Sequence, residues 1–264
     1  MDGYSTYYGV FDAMDLQRNA SSCSSPPDPQ PYLAYITMVS SVISMLGSLL
    51  IILTFILWQD IRTVARAIVV FLSIADFFTA AGYLFGATVY LRYKLHANES
   101  DETEKTYREL CKAQSFITTT FPISSFLWTA HLATYLYVAI VNAKPQLAKK
   151  LVIIFHITGW GIPLAICIPA VATGHLGSAS SRTSVSWCFV TFNSTYPGSD
   201  SELRERLAYY YGFEFLCGKF WEIATYFVAL ALYISVKVVL RMRKVSVYSE
   251  AYSLPLVSPS HFHF

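Results

Sequence analysis

The stretch from Ala67 to Arg92, AIVVFLSIADFFTAAGYLFGATVYLR, constrains this chain more than any other. About 20 apolar residues let a helix cross a bilayer, and this stretch is long enough. Yet it carries Asp76 near its middle, where a carboxylate is costly in hydrocarbon. Such a charge needs company from other helices. The segment therefore belongs inside a membrane bundle with a polar interior.

Composition points the same way. The 264 residues are 54% hydrophobic and only 14% charged, against roughly 25% charged in soluble domains. The net charge is +2, with no basic cluster interleaved with aromatics, so no nucleic-acid partner is expected. Lipid is the expected surroundings.

Five spans follow along the chain. They run from about Leu33 to Trp58, Ala67 to Arg92, Lys112 to Val141, Leu151 to Thr173, and from a final helix that enters the membrane near Tyr209-Tyr210-Tyr211 and leaves near Val239. Ser199-Asp200-Ser201-Glu202 has capping-box spacing and marks the start of that last helix. The fold class is all-α, a polytopic transmembrane bundle. Residues 1–32 form a Ser/Pro-rich tail without a signal peptide, 33–244 the five-span domain, and 245–264 a polar tail. The connections QDIRTVAR and NAKPQLAKK read as short basic loops, and GHLGSASSRTSVSWCFVTFNSTYPGSDSELRERL as a long polar one.

The third span is the most polar. Ser115, Thr118, Thr119, Thr120, Ser124, Ser125, Thr129, His131 and Thr134 spread around several faces, which suits the centre of a bundle better than lipid. Pro122 is expected to kink it. In the last span Lys219 and Glu222 are spaced i,i+3, so they share a face and can pair. They read either as a structural pair, or as a polar anchor in a ligand cavity or a latch to another helix. Asp76 reads either as a group facing a hydrated pocket or as an acid bonded within the bundle.

Lysine and arginine are balanced between the two sides and do not orient the chain. Three glycosylation triplets do: Asn19-Ala20-Ser21, Asn98-Glu99-Ser100 and Asn193-Ser194-Thr195 fall on one side, which places the N-terminus outside. Cys111 and Cys188 lie on that same side, where an oxidising exterior permits a bridge; two unpaired thiols are the alternative. Cys167 and Cys217 sit within spans as packing residues.

No nucleophile–base motif, zinc motif or phosphate loop is present, so no catalytic residue, cofactor or metal ligand is assigned. His131 and His156 are lone core histidines. A small transporter or channel subunit is the competing class, though no inverted repeat supports it.

Several motifs resemble one receptor family. Leu72-Ser73-Ile74-Ala75-Asp76 looks like the second-helix motif of seven-helix G-protein-coupled receptors. Gly159-Trp160-Gly161-Ile162-Pro163 is similar to the fourth helix of secretin, adhesion and cyclic-AMP receptors. Ser186-Trp187-Cys188-Phe189 resembles their Trp-Cys loop segment, and Gly218-Lys219-Phe220-Trp221-Glu222 resembles the GKxWE of an orphan, cyclic-AMP-receptor-like branch. With Phe126-Leu127-Trp128-Thr129, these matches come in order from about Leu33 to Lys244.

The resemblance implies the Cys111–Cys188 bridge, a plasma-membrane receptor for an unknown extracellular ligand, and signalling to a heterotrimeric G protein. Two departures limit it. The third span ends Tyr135-Leu136-Tyr137-Val138-Ala139-Ile140-Val141 without Asp-Arg-Tyr, so that ionic lock is not carried over. The sixth and seventh helices are missing, so this form is expected to insert without signalling alone, as a truncated product degraded or retained early, or acting by association with the full-length receptor.

Overall fold

The computed structural model describes residues 31–94, 101–141, 145–177, 188–190 and 200–253. Helix α1 is Pro31–Leu57; after a 3₁₀ turn at Gln59–Ile61 comes α2, Val64–Lys94. Then follow α3, Asp101–Ile140, and α4, Pro145–Ala172. Two short strands, β1 (Leu176–Gly177) and β2 (Phe189–Val190), precede α5, Asp200–Cys217, and α6, Lys219–Ser253. Among the described residues, five helices are long and apolar enough to cross a membrane: α1, α2, α3, α4 and α6. This is a multi-pass membrane protein.

The long helices need no favourable caps, because their apolar length suits lipid, where an intrahelical backbone ladder satisfies every polar group. α3 is the hub. It packs against α2, α4, α6 and both strands, whereas α1 packs on α2. The expectation for the polar third span holds: several hydroxyls bond their own backbone, as Thr129 Oγ1 does to the Ser125 carbonyl at 3.0 Å. Others reach across, as Ser124 Oγ does to the Gly159 carbonyl on α4 at 2.9 Å. α3 runs unbroken through Pro122.

Glycines set how closely these helices approach. Gly82 and Gly86, one turn apart on α2, face α3. A methyl group on Gly82 would sit 2.7 Å from Ile117 Cγ2 and 2.9 Å from Thr118 Cγ2. Those are β-branched side chains with little rotamer freedom in a helix, so they could not give way. The pair forms a small-xxx-small contact of the kind that brings membrane helices together.

Four boundaries differ from expectation, the first being α3, which begins at Asp101, well before Lys112. The last helix is not continuous: α5 ends at Cys217, and Gly218 donates to the Glu214 and Phe215 carbonyls at the break before α6. The segment NAKPQLAKK is not all loop, since α4 begins at Pro145, a favoured first helical residue. The tail after residue 244 is partly helical, because α6 continues to Ser253. At the other end of α4, Gly174 at φ 75° turns the chain, and His175 N–H closes on the Ala170 carbonyl at 2.8 Å. That left-handed C-terminal turn is one glycine adopts without strain. It leads into β1, which pairs antiparallel with β2, Leu176 opposite Val190.

Candidate ligand crevice and polar core

One end of the bundle is covalently fixed. Cys111, in the first part of α3, is disulfide-bonded to Cys188 beside β2, with a Cα–Cα distance of 5.3 Å. Both cysteines are buried. Beside them lies Gln114, also buried: its Oε1 accepts the Cys188 backbone N–H at 2.6 Å, and its Nε2 donates to Thr118 Oγ1 at 3.3 Å. Gly86 makes room for this amide, since a Cβ there would stand 2.7 Å from Gln114 Nε2. The loop strand is thus held to α3 by a bridge and a neighbouring hydrogen bond.

Beneath this roof is a crevice of about 520 Å³ between α2, α3 and the α5–α6 break. Tyr83 from α2, Thr118 and Phe126 from α3, Phe189 from β2, and Lys219 and Glu222 from α6 contribute to its walls. Lys219 Nζ and Glu222 Oε2 pair at 2.7 Å, with side chains 71% and 52% exposed. The predicted pair therefore forms, at the rim of an open crevice. Phe189 reaches the Gly218 break, 3.7 Å from where a Cβ would be.

Asp76 lies seven residues before Tyr83 on α2, so on the same face about 10 Å along the helix. Its Oδ1 accepts from Ser125 Oγ at 2.6 Å. That is a bond within the bundle, joining α2 to the central helix. Thr225 on α6 makes a similar link to the Phe126 carbonyl at 3.0 Å.

Farther along, Trp128 is fully buried and stacks on Phe71 at 5.0 Å, with His156 at 5.1 Å and Trp160 at 5.9 Å. Gly159 admits it: a Cβ there would meet the indole at 3.0 Å. Within the GWGxP motif, Gly159 faces α3, Gly161 faces open space, and Pro163 is fully buried. His131 stacks on Phe155 at 4.5 Å, and its Nε2 is 3.0 Å from Thr158 Oγ1. That hydroxyl donates to the Ile154 carbonyl at 2.9 Å, which leaves it to accept from the imidazole N–H. Trp221 packs against the cluster containing Cys167 and Cys217, both buried free thiols.

The opposite end is held differently. Arg243 of α6 donates to the Ile140 carbonyl at 2.9 Å and the Val141 carbonyl at 2.8 Å, covering the end of α3. Arg62 does the same for α1, donating to the Phe55 and Ile56 carbonyls at 3.2 and 2.7 Å. A cation at a helix C-terminus meets both the orphan carbonyls and the negative end of the helix dipole.

Of the residues singled out in the sequence, the structure brings together Cys111 with Cys188, Lys219 with Glu222, and Asp76 with Ser125. Asn19, Asn98, Asn193 and Trp187 lie outside the described residues. Sequence reading missed Gln114, Arg243 and the Gly82/Gly86 pair. Only the last had a signal in the sequence, its GxxxG spacing; Gln114 and Arg243 act on backbone groups that no motif announces. No group of His, Cys, Asp and Glu suited to a metal ion exists among the described residues.

The 7 transmembrane receptor (Secretin family) signature matches residues 30–193, well over half of the chain. G-protein coupled receptor 157 of Rattus norvegicus is 33% identical over 213 residues, 80% of this chain and 57% of its own length. The Homo sapiens protein of that name is 33% identical over 216 residues, with 81% and 57% covered. Cyclic AMP receptor-like protein A of Dictyostelium discoideum is 28% identical over 205 residues, with 76% and 44% covered. The chain thus spans a little over half the length of the first two relatives.

Proposed function

We propose, for a chain that belongs to the secretin family of seven-transmembrane receptors, that it carries a ligand signal across the plasma membrane to a heterotrimeric G protein. It is a receptor rather than an enzyme. In this reading the N-terminus and the disulfide end face outward, the crevice beside Lys219 and Glu222 receives the ligand, and the Arg243 end faces the G protein.

One observation carries the reading. α3 and α6 wall the crevice at one end and are joined through Arg243 at the other. A ligand that favours one arrangement of α6 against α3 at the crevice then biases the far end, which is the differential contact a coupled switch requires. The 264 residues alone are proposed to insert without driving exchange, since the five candidate spans among the described residues stand against the seven of the family's name.

Nucleotide loading tests this. Membranes containing the chain receive a purified heterotrimeric G protein and labelled GTPγS, with and without a co-expressed fragment carrying the last two spans of the rat relative. Loading is expected only with the fragment. Loading by the chain alone would overturn the second claim, and none in either case would overturn the first. Orientation has its own test: a glycan on Asn98 or Asn193, lost on Asn→Gln, supports it, and modification of an acceptor engineered into NAKPQLAKK refutes it.

A further inference from the structure

A second cavity lies at the disulfide end, bordering β2 and α5 as the crevice does but lined by different residues. It measures about 630 Å³ and opens between the end of α4, β2 and the face of α5 that carries Glu202, Glu205, Arg206, Tyr209 and Phe213. Its size falls in the range of small-molecule sites. Three rings form one wall. Tyr209 and Phe213 are nearly parallel, 9° between planes and 6.3 Å between centroids, and His175 lies 5.7 and 5.6 Å from them. Thr173 Oγ1, 2.7 Å from His175 Nδ1, fixes that imidazole. Glu202 and Glu205 stand two turns and one turn before Tyr209 on α5; they outnumber the single basic lining residue, Arg206, and neither acid has an ion-pair partner among the described residues.

Acids in the first turn of a helix complement its dipole, and that accounts for Glu202. It does not account for Glu205, five residues in, nor for the aromatic stripe continuing down the same face. Carboxylates above stacked aromatic faces are the chemistry that recognises an organic ammonium: charge from the acids, quadrupole attraction from the rings. The acids stay solvated while empty and gain a partner when the cation arrives.

We infer that this cavity is a binding site for an organic ammonium group, separate from the crevice beside Lys219 and Glu222. Two sources supply that chemistry, a soluble amine and the choline headgroup of a neighbouring lipid.

The test uses the purified, disulfide-bonded chain in a maltoside detergent, titrated calorimetrically with phenethylammonium and with its uncharged counterpart, 2-phenylethanol. Saturable binding is expected for the cation and none for the alcohol. The E202Q/E205Q double variant is expected to weaken binding roughly fivefold to tenfold. Tyr209→Ala, which keeps both charges and removes a ring, is expected to weaken it as well and guards against a folding defect in the double variant. Equal binding of cation and alcohol overturns the proposal. So does the absence of saturable binding, or binding indifferent to E202Q/E205Q and lost in Glu222→Gln, which would place the cation in the crevice. Nanodiscs separate the sources. An affinity lower in phosphatidylcholine discs than in uncharged galactolipid discs assigns the site to lipid headgroups, and an affinity not lowered there assigns it to a soluble amine.

Discussion

The two ends of this bundle are fastened by different chemistry. At the disulfide end, α3 is joined to the loop strand by a covalent bridge and by Gln114 on the Cys188 amide. At the opposite end, α3 is joined to α6 by Arg243 donating to two terminal carbonyls. A bridge cannot be exchanged for solvent; a guanidinium on carbonyls can. The difference suits a molecule that keeps a cavity in shape at one end while its other end rearranges. It also suggests where substitutions will be felt as lost stability and where as altered mobility.

The comparison breaks most visibly at the bridge. Cys111→Ser or Cys188→Ser is expected to cost about 2–5 kcal/mol, read as a lowered melting temperature of the purified chain and reduced surface expression. The double replacement should be no worse than either single one. Additive losses would mean that the thiols act separately.

Next is the amide beside it. Gly86→Ala forces a methyl group against Gln114, and Gln114 can move only by abandoning the buried Cys188 N–H, at about 1–3 kcal/mol. In a Gln114→Ala background the same glycine substitution should cost far less, because the side chain it strikes is gone. Equal costs in both backgrounds would remove Gln114 from the fastening.

At the other end, Arg243→Gln should cost only about 0.3–1 kcal/mol in melting. Hydrogen exchange at the end of α3 should nonetheless rise while protection near Cys111 is unchanged. A rise at both ends would show that they are not independent.

The smallest effect is expected at the crevice rim. Lys219→Met with Glu222→Leu should change stability by less than about 1 kcal/mol, since the pair is more than half exposed. Glu222→Gln alone should do little more. A large loss in that single variant, recovered in the double, would show that the pair is desolvated by lipid or a partner.

Much of this was legible in the sequence because bilayer physics is coarse. Apolar length alone marks a span, so α1, α2 and α4 needed only counting. The hydroxyl-rich third span could not face lipid all round, and that placed α3 in the middle before any contact was known. Asp76 had to find a partner for the same reason. The ion pair Lys219–Glu222 followed from helical spacing. In each case one property of one segment, tested against hydrocarbon, left little choice.

Other features were settled only in three dimensions. That Asp76's partner is Ser125, 49 positions away, depends on the register of α2 against α3, which Gly82 and Gly86 set by contact. The break at Gly218 replaced a helix that apolar patterning drew as continuous, because spacing measures hydrophobicity and not the hydrogen bonds a glycine leaves adjustable. Gln114 and Arg243 bond to backbone groups, and every residue has a backbone, so no sequence pattern singles out the acceptor. The sequence determined which segments cross the membrane and which of them must hide polar groups. The tertiary structure decided which polar group meets which, since that depends on approach distances fixed by packing rather than on any residue's own preference.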